Sequence, residues 1–195
     1  MARPYRLQKR AESAGQTRAR IVEAAISLHG TKGPACTTIK DVAELAGVER
    51  LTVYRHFRDE AALLQACSGK WLERNPPPAW SPPAGEEPKA RTERMLQALY
   101  NYYARTVDMW SRAYRDQSLV PALEEPMRGW NEYLDATAGQ MSDGWRQAGK
   151  ARRKLWMAAR HAVDFRTYSS WRDAGASERF AVRLMSGLID AAARD

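Results

Sequence analysis

Thr37–Phe57 reads TTIKDVAELAGVERLTVYRHF. Thr38 followed three residues later by Asp41 is an N-cap residue with an acidic third position, which predicts the start of a short helix. Val42, Leu45 and Ala46 recur at helical spacing and mark its buried side. Gly47 falls where a tight turn needs a positive φ, the conformation glycine adopts without steric cost. Val48 then plugs the angle, and a second helix is expected from Glu49 or Arg50 to Phe57. Val53 and Phe57, four apart, face inward on it.

That assignment leaves Arg50, Leu51, Thr52, Tyr54, Arg55 and His56 on the outer or flanking surfaces of the second helix. Tyr54 and His56 have packing as their alternative role, but Val53 and Phe57 already supply an inner face. A cationic, hydrogen-bonding and aromatic outer face suits the major groove of DNA, where the first residues of such a helix reach base edges. Arg, Lys, Thr and Tyr side chains also grip phosphates, which sets register without reading sequence.

On either side of this stretch the pattern is helical, so an all-α fold is expected. A helix is predicted over Thr17–Gly30, with Ile21, Ala25 and Leu28 inward, before Gly30 and Gly33-Pro34 interrupt it. Another starts near Asp59 and runs through Leu63, Leu64, Cys67, Trp71 and Leu72. Asn75–Pro88 holds six of the ten prolines and is the clearest boundary, because proline cannot donate the helical backbone bond. Beyond it, helices are predicted over Lys89–Asp116, Met127–Ala148, Ala151–Trp171 and Ser177–Ala193, with Pro121 and Pro126 in a second break. The expected division is 1–58, an N-terminal arm and DNA-binding head, and 59–195, a helical bundle carrying the Pro-rich loop at 75–88.

The net charge of +8 is concentrated in that head. Residues 1–58 hold eleven Lys and Arg against five Asp and Glu, whereas residues 59–195 hold twenty against eighteen. A basic excess confined to the first third is what a polyanion partner requires. Mean hydropathy is −0.62, and no run of about 18 apolar residues predicts a membrane span. Cys36 and Cys67 have neither metal-ligand nor disulfide-framework spacing, so a reducing, cytoplasmic setting is expected, with no metal and no cofactor. A nucleophile elbow, a phosphate loop and paired catalytic carboxylates are all absent, which argues against an enzyme.

Thr52-Val53-Tyr54-Arg55-His56-Phe57 resembles the Thr-apolar-Tyr-x-His-Phe string that closes the signature of the TetR family of helix-turn-helix repressors. Asp41–Val48 matches the part before it, as do Ile21, Ala24, Ala25 and Leu28 in the first helix. The resemblance covers roughly Gln16–Leu64. It implies a three-helix DNA-binding head followed by a bundle for ligand binding and dimerisation. By position it places base contacts on Arg50, Leu51 and Thr52, and phosphate contacts on Tyr54, Arg55, His56, Thr38 and Lys40. Tyr5–Arg20 would add a basic arm, as long N-termini do in some members. Three positions depart from the family pattern: Glu60 for a usual lysine, His29 for a phenylalanine, and Pro34 for an aromatic residue.

The function this implies is a ligand-responsive repressor, cytoplasmic and nucleoid-associated, that binds a palindromic operator in double-stranded DNA as a homodimer and is released by a small molecule. An activator, or a nucleoid-type DNA binder without an effector, is the alternative. Candidate effector contacts are Tyr100, Tyr103, Trp110, Tyr114, Trp130, Tyr133, Trp145 and Phe165. These aromatics fit either a packed core or a cavity for an aromatic or hydrophobic ligand. Asp108, Glu132 and Asp164 suit a cationic effector, and Arg105, Arg112 and Arg160 an anionic one. Leu155, Ala159, Ala162 and Val163, with Phe180, Leu184 and Leu188, form two apolar stripes. They either complete the core of one chain or meet their twofold mates in a dimer, the use that the resemblance implies.

Overall fold

The computed structural model describes residues 3–194 except 82, 144 and 146, with side chains from residue 12 onward. Among these residues the chain is helical, with two short 3-10 turns and no strand. It divides into two compact units, residues 1–76 with 111–127 and residues 77–110 with 128–195.

The first unit contains α1 (Arg3–Thr31), α2 (Ile39–Ala46), α3 (Arg50–His56) and α4 (Glu60–Arg74). Ile21, Ala24 and Ala25 of α1 are buried with Val42 and Ala46 of α2, Val53 and Phe57 at α3, and Leu63, Leu64 and Cys67 of α4. Fully burying an Ile, Leu or Phe side chain stabilises by about 1.5–3 kcal/mol, so this small set holds three short elements that would not be helical in isolation. α1 begins fourteen residues before the predicted Thr17. Arg, Leu, Gln, Lys, Glu and Ala dominate residues 3–16, and Pro4 sits in the first turn, where its missing N–H costs nothing. The expected basic arm over Tyr5–Arg20 is helical in its backbone, while the side chains of Tyr5–Ala11 lie outside the described residues.

The second unit contains most of α5 (Pro88–Asp116) and of α6 (Glu124–Asp143), with α7 (Gly149–Ala162), α8 (Phe165–Asp173) and α9 (Glu178–Arg194). Its centre is formed by Leu96, Leu99, Tyr100 and Tyr103 of α5, Leu134 and Met141 of α6, Leu155 and Ala159 of α7, and Ile189 of α9, each fully buried. α6 starts ahead of the predicted Met127 because Pro126 lies in its first turn, where no backbone N–H is needed. The single helix predicted over Ala151–Trp171 is two. Val163 ends α7, and Asp164 caps α8 by accepting a hydrogen bond from the Arg166 N–H at 2.9 Å. Among the described residues, no helix is long and apolar enough to cross a membrane.

Candidate nucleic-acid interface

α2 is fixed at its start by a reciprocal cap. The Thr38 hydroxyl accepts from the Asp41 N–H (3.1 Å), and the Asp41 carboxylate accepts from the Thr38 N–H (2.8 Å). Lys32 also donates to Asp41 (2.8 Å). The Lys32 ammonium foremost, then the Thr38 N–H and hydroxyl, hold the Asp41 carboxyl well below the usual carboxylate range. At the other end Gly47 takes φ 64° and ψ 43°, and its N–H reaches back to the Ala43 and Glu44 carbonyls. An L side chain in that left-handed conformation is strained, so the sharp turn into α3 depends on glycine.

α3 begins at Arg50 with Glu49 in extended conformation before it, and the Glu49 carbonyl accepts from Thr52 N–H at 2.9 Å. Val53 is 0% exposed and Phe57 3%, so these two residues anchor the helix in the core. The opposite face is open. Arg50 and Arg55 are exposed, Leu51 is 58% and Tyr54 42% exposed, and Thr52 and His56 are half-buried. Thr38 and Lys40, at the start of α2, are exposed as well. The face therefore offers cations, one phenol ring and one large apolar side chain. Such a helix can place guanidinium groups against base edges and a phenol against phosphate.

Two departures from the motif have structural consequences. Glu60 is exposed in the first turn of α4, just after Asp59, which caps that helix by accepting from Ala62 N–H at 2.7 Å. Carboxylates suit a helix N-terminus, but they repel phosphate. His29 is buried, and its ring Nδ1 lies 3.4 Å from the Cys67 sulfur. Burial lowers its pKa to about 4, with Asp116 opposing, and burial pushes the Cys67 thiol up to about 12. Among the described residues no group of three His, Cys, Asp or Glu side chains is placed to hold a metal ion.

In the second unit the candidate effector residues are largely packed on one another. Trp110 and Trp130 stack at 4.0 Å between ring centroids, Trp130 and Tyr133 at 5.0 Å, and Tyr103 meets Phe165 edge-on at 5.2 Å. Tyr100 and Tyr103 donate to the Ala162 and Val163 carbonyls, at 2.9 and 2.7 Å. Tyr114 belongs to the first unit, the other seven candidates belong to the second, and Trp145 is half-buried just past α6. A cavity of about 330 Å³ opens beside this cluster, lined by Tyr100, Ala104, Val107, Tyr168, Trp171, Arg172, Ala176, Glu178 and Ala181. Of the eight candidates only Tyr100 lines it; Tyr168 was among the aromatics that fit a core or a cavity, and sequence reading missed Trp171, Arg172 and Glu178. Their convergence depends on the α7–α8 break, which periodicity did not reveal. Arg160 is engaged by Asp135 (2.6 Å) and Asp164 (3.0 Å).

The two apolar stripes also separate. Leu155, Ala159, Ala162 and Val163 are buried within the unit, while Phe180 is 48% and Leu188 52% exposed, with Leu184 half-buried between them. Met157, on the outer side of α7, is 58% exposed.

Residues 21–67 match the family model described as bacterial regulatory proteins, tetR family. The HTH-type transcriptional regulator TtgR of Pseudomonas putida is 51% identical over 55 residues, which is 28% of this chain and 26% of that protein. SrpR of Pseudomonas putida, another HTH-type transcriptional regulator, is 39% identical over 59 residues, 30% of this chain and 28% of that protein. The matched segment thus spans about a quarter of the length of these curated relatives. A solved TetR-like transcriptional regulator from Rhodococcus sp. RHA1 aligns with a TM-score of 0.58 over 89% of this chain and 93% of its own, at 16% identity, a likeness of fold.

Proposed function

Because residues 21–67 belong to the tetR family of bacterial regulatory proteins, we propose that this protein is a ligand-responsive transcriptional repressor. It binds a palindromic operator as a homodimer. The observation that carries this reading is the exposed face of α3, where Arg50, Leu51, Tyr54 and Arg55 stand opposite the buried Val53 and Phe57. In the bound state two recognition helices sit about 34 Å apart, one DNA turn, and enter successive major grooves. Arg50, Leu51 and Thr52 read bases, while Thr38, Lys40, Tyr54, Arg55 and His56 hold the backbone. The effector and dimer functions belong to residues 59–195.

A small molecule that binds the other state better shifts the population and frees the operator. The 330 Å³ cavity beside Tyr100 and Tyr168 is of the size that small ligands occupy, and its aromatic walls favour an aromatic or hydrophobic compound. Exposed Phe180 and Leu188 on α9 support a twofold contact through that helix. Footprinting on the DNA upstream of the protein's own gene tests the reading. Protection of one twofold-symmetric site, abolished by a cavity ligand, is expected. Uniform coating of the fragment would replace this function with that of a nucleoid-type binder.

A further inference from the structure

The cavity of about 330 Å³ in the second unit has aromatic walls from Tyr100 of α5 and from Tyr168 and Trp171 of α8. Two polar groups in those walls are left unengaged. Glu178, the first residue of α9, is half-buried there, and its carboxylate has no hydrogen bond or ion pair among the described residues. It does not cap its helix either, because Ser177 does so by accepting from the Phe180 N–H at 3.3 Å. Arg172 also lines the cavity, but it is exposed and its guanidinium meets Asp173 at 3.5 Å. Burial raises the Tyr168 pKa, and the Glu178 carboxylate adds to the rise while Arg172 opposes it, so Glu178 lies within electrostatic reach of that phenol. The second unengaged group is the Trp171 indole N–H, buried without a hydrogen-bond partner among the described residues. Protein interiors pair nearly all such donors, so an unpaired one on a cavity wall calls for an acceptor from outside the chain.

We infer that the cavity takes an aromatic amine carrying an oxygen acceptor, with Glu178 holding the ammonium group and Trp171 donating to the oxygen. The inference rests on the effector reading above and names its ligand class. Of the carboxylates that sequence suits to a cationic effector, Asp108, Glu132 and Asp164 do not line the cavity, whereas Glu178 does. A half-buried carboxylate attracts a cation more strongly than a fully solvated one, because less water screens the pair. Aromatic faces carry negative charge density, so the rings in the wall favour a cation as well. An anion would have only Arg172 to meet it, and Asp173 offsets that charge.

Isothermal titration calorimetry of the full chain with tyramine, 4-hydroxyphenylacetamide and 4-hydroxyphenylacetate tests the class, since the three share a phenol and differ in side-chain charge. Tyramine is expected to bind tightest and the acetate weakest. Glu178→Gln, which keeps the length of the side chain, should weaken tyramine about tenfold while leaving the amide and the melting temperature unchanged. Glu87→Gln, on exposed surface just before α5, should alter nothing. Trp171→Phe should weaken tyramine about fivefold and spare phenethylamine, which lacks the oxygen. Tighter binding of the acetate or the amide, or undiminished affinity of Glu178→Gln for tyramine, would overturn the ligand class and leave the cavity standing as an effector site. Equal losses of tyramine and phenethylamine in Trp171→Phe would overturn the part given to the indole. Absence of binding by all four compounds would overturn the inference together with the effector reading of the cavity.

Discussion

The carboxylate of Asp116, at the C-terminal end of α5, accepts a hydrogen bond from the backbone N–H of Ala35 at 3.0 Å, across 81 residues of sequence. Asp116 is 1% exposed. Around it Arg115 donates to the Lys32 carbonyl (2.9 Å) and Arg112 to the Thr31 carbonyl (2.7 Å). The last turn of α5 thus satisfies the Thr31 and Lys32 carbonyls at the end of α1 and the Ala35 N–H of the 3-10 turn Pro34–Cys36, the connection from which α2 is launched.

Asp116→Ala deprives the part-buried Ala35 N–H of its acceptor and is expected to cost about 1–3 kcal/mol. Asp116→Asn keeps an acceptor oxygen and should cost less. Urea midpoints of the two variants check the order. Gly33→Ala should be at least as damaging, because its φ is 94° and an added Cβ would run into the Arg115 and Asp116 side chains. Equal midpoints for all the variants and the parent would mean that this contact does not anchor the turn.

His29 makes the head acid-sensitive. Its folded pKa of about 4 is below the ordinary 6.5, mainly through burial, so the unfolded chain takes up the proton first as pH falls. Its stabilising contribution is full above pH 6.5 and declines as pH falls through the folded value, by about 3 kcal/mol in total. Burial alone would raise the Asp116 carboxyl, but the Arg115 hydrogen bond and Ala35 N–H outweigh it and hold it below the usual range. Asp116 therefore loses its contribution only at more acidic pH. His29→Leu should shrink the difference in unfolding free energy between pH 7 and pH 4.5, measured by urea titration. An unchanged difference would place the acid response elsewhere.

The two thiols should separate kinetically. Cys36 is exposed, whereas Cys67 is buried, donates to the Leu64 carbonyl at 3.1 Å and has its pKa pushed up to about 12. Since the thiolate is the reactive form, iodoacetamide at neutral pH should modify Cys36 alone in the native protein. Mass spectrometry of the alkylated chain reads this out. Equal labelling of both would show that α4 opens readily.

Across the recognition helix the roles should divide. Tyr54→Ala and Arg55→Ala are expected to weaken binding to every duplex, whereas Arg50→Ala should also relax base preference, by about 1–3 kcal/mol at the affected position. Affinities on matched operator and scrambled duplexes separate the two effects. Identical losses on both duplexes for all three variants would undo the assignment.

The helix-turn-helix was legible because its determinants are local, except that Leu45, expected on the buried side of α2, is 56% exposed. Thr38 with Asp41, Gly47, and Val53 with Phe57 each act within a few residues of themselves. α1 ran further than expected because strong helix formers continue before Thr17, where apolar periodicity gives no signal. The break at Val163-Asp164 lies inside a continuous apolar pattern and is revealed by the Asp164 cap. Periodicity identifies an apolar face without saying what covers it. Leu155 and Ala159 are buried by their own chain, while Phe180 and Leu188 are not. In the same way, an excess of aromatics does not distinguish stacked Trp110 and Trp130 from the walls of the cavity nearby.

Selection of bound sequences from a random duplex library by the protein shows whether the exposed face of α3 reads duplex DNA. Enrichment of a twofold-symmetric sequence with half-sites about one helical turn apart is expected, together with loss of that enrichment in Arg50→Ala. Recovery of unenriched sequence by the parent protein, or an identical enriched motif with Arg50→Ala, would contradict it.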